Sequence, residues 1–345
     1  MNHLHFAIVV GINCYPNIAR QLSAARDDAE AFAGWLKDPD GGGVPPEQVE
    51  LITASPTEER TFVDSGETRP VRQEVINALR RFHKMVRKVD DRSWPETRLY
   101  LYVAGHGIAP SGGRGALLYA DADPPDYADN LDLAKYDELY GTKSTPFHEV
   151  VLLADCCRET ALGLPDAGAV PFGKTEIRGQ TRRILAYATT YSKMAGAPKR
   201  MIGPKDHGRG FFTEALLAGL RGGAAHDPET GAIRSDHLKD YLYESVRNRA
   251  AALNYKQRAD LQLSGPGQID LAYVPVQRYR VEFRVPKRWN DDVLVTQGDS
   301  QTVRHAPVDD GVAVIDLRNG IYKATEGSGR SRFFQVDGGE LTIEI

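Results

Sequence analysis

Two short stretches carry residues suited to covalent chemistry. One is Gly105-His106-Gly107, which ends the apolar run Arg98–Ala104. The other is Asp155-Cys156-Cys157-Arg158, which ends the run Glu149–Ala154. Glycines on both sides of His106 let the backbone turn sharply and leave the imidazole uncovered. The thiolate is the attacking form of cysteine, and a nearby imidazole or cation lowers the thiol pKa from its free value of about 8.5. A thiol and an imidazole at neighbouring strand ends make a nucleophile–base pair. The chemistry expected is acyl transfer through a thioester, that is, hydrolysis of a peptide or amide bond. Backbone N–H groups at the cysteine turn (Cys157) and near Gly107 suit an oxyanion site.

The elements that must position these residues follow from hydrophobic patterning. Leu4–Ile12 is a continuous apolar run ending near Gly11, as expected of a strand buried on both faces. Ser23 is the expected cap of a helix whose residues Ala25, Ala29, Phe32, Ala33 and Leu36 share one face. Val49–Thr53 predicts a second strand and Val71–Val89 an amphipathic helix. Arg98–Ala104, Glu149–Ala154 and Arg183–Ala188 predict three more strands, and Phe211–Leu220 and Ser235–Ala251 two more helices. Strands alternating with helices predict an α/β fold with a mostly parallel sheet and helices on both faces. In such sheets the working residues gather at the carboxyl ends of the strands, which is where His106 and Cys157 fall.

After about residue 270 the texture changes to short alternating runs such as Tyr279–Val285, Asp292–Val295, Val312–Leu317 and Leu341–Ile345, separated by turn formers. This predicts a second, small antiparallel β-sandwich over residues 278–345, after a first domain over residues 1–272.

Composition narrows the function classes. The 345 residues hold 43 Lys and Arg against 47 Asp and Glu, a net charge of −4, which excludes a broadly basic nucleic-acid binder. At 41% hydrophobic and 26% charged, the chain has the makings of a packed core. No apolar run approaches the roughly 20 residues of a membrane-spanning helix, and the first residues lack the pattern of a secretory signal. Three cysteines cannot make a disulfide framework, so a reducing, cytoplasmic setting is expected.

At this point the chain resembles the caspase-like cysteine peptidases, in particular the prokaryotic metacaspase-type branch. The stretches that carry the resemblance are FAIVVGINCYP, SAARDDAEAFAGWL, LYLYVAGHG, VVLLADCCRE and, further on, GRGFFTEALLAGLRGGAAHDPETGAIRSDHLKDYLYESV, roughly residues 4–250. Cys157 follows His106 by 51 residues; caspases place their histidine about 50 residues before a Q-A-C-[RQG]-G cysteine. Arg158 fills the [RQG] position, while Glu159 replaces the final glycine. The resemblance implies that His106 is general base and then general acid, and that Cys157 is the nucleophile. It implies that Asp155 lines the pocket for the residue before the scissile bond, with help from Asp27, which favours Arg or Lys there. It places Tyr191 and Ser192 against the substrate main chain; Lys193 beside them departs from an all-acidic pocket. It implies protein or peptide substrates and a zymogen cut at Lys174, Arg178, Arg182 or Arg183, by itself or by an upstream protease, or switched by a regulatory protein. Roles in cell death or antiviral defence come by the same resemblance. No cofactor is expected. Calcium activates some relatives, and Asp121, Asp123 and Asp126 are acidic, but no twelve-residue calcium loop is present.

Plainer readings stand beside these. Cys156 is expected to be structural, because alternate residues of a strand end face opposite sides. Cys14 has no motif around it, and no C-x2-C spacing supports a zinc site. His83, His148, His207, His226 and His237 are expected at the surface or in packing. Two further readings of the whole chain are a catalytically silent adaptor of the same fold, which only binds, and another amide hydrolase with a different pocket.

Overall fold

The computed structural model describes all residues except 1, 19–20, 54–71, 111–113, 124–126, 128–129, 143–144, 161–177, 190–209, 255, 287–288, 290, 298–302, 319 and 338. The chain divides into two compact units, residues 1–227 with 232–274, and residues 228–231 with 275–345.

The first unit contains β1 (His5–Gly11), α1 (Ala25–Lys37), β2 (Val49–Thr53), α2 (Arg72–Val86), β3 (Arg98–Gly105), β4 (Gly107–Ala109), β5 (Ala116–Leu118), β6 (Asn130–Asp132), α3 (Leu133–Tyr140), β7 (Glu149–Cys156), β8 (Glu159–Thr160), β9 (Arg182–Tyr187), α4 (Phe211–Ala218), β10 (Ala232–Arg234), α5 (Ser235–Ala252), β11 (Asp260–Ser264) and β12 (Asp270–Tyr273). The main sheet runs β11-β9-β7-β3-β1-β2 and is parallel except for β11, which is antiparallel to β9. Every residue of β3 and β7 is buried, as continuous apolar strands between two helical layers require.

Alternation along the strands assigns each face its core. Leu99, Leu101, Val103, Leu152 and Ala154 pack with Val75, Leu79 and Phe82 of α2. Tyr100, Tyr102, Val151 and Leu153 face Phe32 and Leu36 of α1, Phe212 and Leu216 of α4, and Leu242 of α5. Burying each such large side chain contributes about 1.5–3 kcal/mol.

Two local features differ from expectation. Ala24, not Ser23, occupies the N-cap position of α1, and the side-chain acceptor at the helix start comes from the β1–α1 loop: Asn13 Oδ1 accepts the Arg26 N–H at 3.0 Å. A four-stranded sheet, β6-β5-β4-β8, stands beside the main one. Its strands are two or three residues long, too short to show a period in sequence.

At their amino ends β1, β3, β7 and β9 begin in register around a buried ion cluster. Arg98 Nε donates to Glu149 Oε2 at 2.6 Å, and Arg182 Nη2 lies 2.5 Å from Glu149 Oε1. The other Arg98 nitrogens donate to the Tyr100 hydroxyl and the Asp270 carbonyl.

The second unit contains β13 (Tyr279–Arg284), β14 (Val293–Gln297), β15 (Val303–Ala306), β16 (Val308–Asp309), β17 (Val312–Leu317), β18 (Gly320–Thr325), β19 (Ser331–Val336) and β20 (Leu341–Glu344), in two four-stranded sheets. Val281, Phe283, Val293, Val295, Leu317, Tyr322 and Ile343 form its core. One pairing corrects the antiparallel expectation, because β13 and β20 run parallel. Pro228–Gly231 belongs to this unit, and Glu229 there meets Arg304, Arg318 Nη2 at 2.8 Å and Arg278 Nη2 at 3.9 Å.

Glu149→Ala leaves Arg98 buried without its counter-charge. The expected loss in urea unfolding is about 3–5 kcal/mol, and a loss below about 1 kcal/mol would show that the cluster is not what joins the strand starts.

Candidate active site

The strands around the cysteine and histidine run in one register. Gly105 pairs with Cys156 at the ends of β3 and β7, and Ile108 pairs with Glu159 in β4 and β8. Both pairs join residues 51 positions apart. His106 and Cys157 therefore lie across from one another on neighbouring chains, whose spacing in a sheet is about 4.8 Å.

Both cysteines are buried. Cys156 is 1% exposed and packs in the α2-side core. Burial, reinforced by Cys157 and Asp155, pushes its thiol well above the usual cysteine range, which disfavours the thiolate. Cys157 is 6% exposed, and His106 beside it is partly open to solvent. Gly107 is the glycine whose absent side chain matters here. A Cβ would lie 2.4 Å from the Cys157 carbonyl oxygen and 2.8 Å from Cys156 Sγ, so any larger residue drives the histidine turn off the cysteine turn.

Two buried carboxylates meet the amino end of α4. Asp155, buried at the end of β7, accepts the Thr213 N–H at 3.2 Å and the Thr213 hydroxyl at 2.6 Å on Oδ2. The single Thr213 hydroxyl proton is thereby used, so the Tyr102 hydroxyl, 2.5 Å away, donates to Thr213 Oγ1. The second carboxylate belongs to Asp28, which accepts the Gly210 N–H on Oδ1 at 3.1 Å and on Oδ2 at 2.9 Å. A Cβ on Gly210 would fall 2.6 Å from Asp155 Oδ2 and 2.9 Å from Asp28 Oδ2, so the two acids meet at one point. Both face the amino end of α4, whose unpaired N–H groups favour negative charge. Burial raises the Asp155 carboxyl above its ordinary range, against the two Thr213 hydrogen bonds.

Asp27, the residue named from sequence, is exposed on α1, and its neighbour Asp28 is 2% exposed. The signal was present in the sequence: Asp28 lies three residues after Ala25 and four before Phe32, inside the apolar stripe, where an uncompensated acid would be costly. Tyr15 and Thr213 also escaped sequence reasoning; Thr213 holds Asp155 and Tyr15 holds the His106 N–H. Arg158, beside the cysteine, has a guanidinium stacked 4.2 Å over the Tyr187 ring; its Nη1 donates to Asp260 Oδ2 at 2.9 Å and to the Thr189 carbonyl at 3.0 Å.

The remaining sequence-named residues scatter. Tyr191, Ser192, Lys193 and Lys174 lie outside the described residues. Arg178 Nε is 3.3 Å from Asp91. Arg182 and Arg183 lie within β9, tied to Glu149 and Asp137. Asp121 and Asp123 are described and Asp126 is not; among the described residues no group of three or more His, Cys, Asp or Glu side chains is arranged to hold a metal. No described helix is long and apolar enough to cross a membrane. His83 is buried with Nε2 2.7 Å from the Tyr140 hydroxyl, and burial pulls its pKa down to about 3.

Because the folded-state pKa of Asp155 is raised, its contribution favours folding below the unfolded carboxylate pKa and is lost as the pH climbs through the folded value. Wild type is therefore expected to lose stability relative to Asp155→Asn between about pH 4 and about pH 8, measured by urea unfolding of both proteins. An equal gap at both ends would contradict the burial cost.

Residues 4–264 match the sequence profile of the caspase domain, peptidase family C14. A probable protease of a Desulfuromonadales bacterium is 28% identical over 269 residues, which is 72% of this chain and 30% of that protein's length. Among solved structures, caspase-1 from Spodoptera frugiperda is 12% identical with a TM-score of 0.42, covering 76% of this chain and 86% of that one. Pro-Sf-caspase-1 is 13% identical with a TM-score of 0.41, covering 80% and 93%. The profile match spans most of the chain, which thus belongs to the caspase domain family.

Proposed function

We propose that the protein is a cysteine endopeptidase that cuts after Arg or Lys through the His106–Cys157 pair. The observation that supports the reading is the common 51-residue register of β3–β7 and β4–β8, between whose paired ends His106 and Cys157 fall. His106 withdraws the thiol proton, and the Cys157 thiolate attacks the scissile carbonyl carbon. The oxyanion sits against backbone N–H groups of Cys157 and Gly107. His106 then gives its proton to the departing amine, leaving a thioester, and in the second half takes a proton from the water that hydrolyses it.

The buried Asp28 and Asp155 carboxylates supply the preference for a cation before the scissile bond. A guanidinium or ammonium meeting them recovers charge-assisted hydrogen bonds there, whereas an aspartate would bring a third negative charge. The cleavage that matures the enzyme is assigned to the stretch from residue 161 to Arg178, with Lys174 and Arg178 as candidate sites. Cutting at Arg182 or Arg183 would require pulling β9 out of the main sheet.

The test uses fluorogenic peptides ending in Arg, Lys or Asp. Cys157→Ala and His106→Ala are expected to abolish turnover, and Cys156→Ala to keep it. Asp28→Asn and Asp155→Asn are each expected to lower kcat/KM for the Arg peptide about 100-fold, the ~3 kcal/mol of one charge-assisted hydrogen bond. Activity that survives Cys157→Ala but vanishes in Cys156→Ala would reverse the nucleophile assignment. No turnover after any proteolytic activation would favour a binding protein of the same fold.

A further inference from the structure

Tyr15 lies in the β1–α1 loop, 91 residues before His106 in sequence, yet meets it twice. Its hydroxyl accepts the His106 backbone N–H at 2.8 Å. Its ring stands edge-on to the imidazole, with centroids 4.8 Å apart and planes at 61°. The same hydroxyl donates to the Leu118 carbonyl at 3.3 Å, while the Leu118 N–H donates to the His106 carbonyl at 2.9 Å. The Tyr15 hydroxyl thus completes a rung between the histidine turn and β5 that two backbones alone do not make. The space it fills is reserved by Gly105, where a Cβ would lie 2.4 Å from the hydroxyl oxygen.

Tyr15 is held firmly enough to transmit a position. It is wholly buried. The Gln21 side chain accepts the Tyr15 N–H at 2.7 Å and donates to the Tyr15 carbonyl at 2.9 Å and the Ile18 carbonyl at 2.9 Å. The loop is closed by Leu22 N–H on the Asn13 carbonyl, and Asn13 also caps α1. The side chain therefore behaves as part of the scaffold and does not swing with solvent.

From this we infer that Tyr15 is a positioning residue for His106. It fixes the backbone of the histidine by the hydroxyl and one edge of the imidazole by the ring. Tyr15 touches neither the thiol's proton nor substrate in this role; it acts only through His106. The inference rests on the reading of His106 as the base. A misplacement of about 1 Å at such a group costs on the order of 100-fold in rate. Without the hydroxyl, the His106 N–H loses its acceptor in a buried setting, and the turn relaxes to find another.

The test is Tyr15→Phe, which keeps the ring and removes one oxygen. Gln21→Ala, which loosens Tyr15 without altering it, serves as the second variant. Two readouts are used on the full chain: turnover of a fluorogenic peptide ending in arginine, and the pH dependence of Cys157 alkylation by iodoacetamide, resolved by peptide mass spectrometry. Alkylation needs no substrate and no prior activation. For Tyr15→Phe the expected result is a kcat lower by about 10- to 100-fold, with KM within about twofold. The midpoint of Cys157 alkylation should move up toward the free-thiol value of about 8.5. Gln21→Ala should move both readouts the same way by less. A purely structural tyrosine would lower the melting temperature and leave the alkylation midpoint in place. Wild-type kcat and midpoint in Tyr15→Phe overturn the inference. His106→Ala separates the two levels of the argument. If it abolishes turnover and raises the midpoint while Tyr15→Phe does neither, only the positioning role falls. If His106→Ala itself behaves as wild type, the base assignment falls and takes the positioning role with it.

Discussion

The parallel register between β3 and β7 is the constraint on which the rest depends. Side chains alternate along a strand, so a slip of one residue in either strand would exchange Cys156 and Cys157 between faces. Cys156, now sealed in the core, would then take the place the proposed mechanism gives to Cys157. The register is held from both ends. At the start, Arg98 and Glu149 are partners in the ladder and in a buried ion pair. At the finish, the bare Cα of Gly107 lets the histidine turn lie against the Cys157 carbonyl. Between them every residue is buried, and the two helical layers admit only one assignment of faces.

The same economy explains the buried acid pair Asp28 and Asp155. Buried carboxylates are unfavourable unless they are hydrogen-bonded. Here both are satisfied by the first turn of α4, through the N–H groups of Gly210 and Thr213 and the Thr213 hydroxyl. The helix in turn has no side-chain cap of its own from Gly210. Acids contributed by α1 and β7 do that work, so the buried acids and the helix are stabilised by the same bonds.

Much of this was legible in the sequence, for identifiable reasons. The buried strands show as unbroken apolar runs, and the spacing of His106 and Cys157 equals the strand register, so a one-dimensional distance encodes a two-dimensional neighbourhood. What escaped depends on contacts that no local pattern encodes. Asp28 reaches Gly210 across 182 residues and Arg158 reaches Asp260 across 102. Asp27 and Asp28 are indistinguishable by type, and only the phase of the α1 stripe tells them apart. Tyr15 reads in sequence as one aromatic among turn formers; its worth lies in a hydroxyl aimed at a strand end 91 residues on. The short β4–β5–β6–β8 sheet was equally silent, since strands of two or three residues carry no period.

The second unit is stitched from two pieces of chain, and its four borrowed residues bring a single acid. Glu229 sits among Arg278, Arg304 and Arg318, all three supplied by the β-stranded portion. A peptide severed at residue 275 would keep the cations and forfeit the anion, leaving guanidinium groups to repel one another where they now converge.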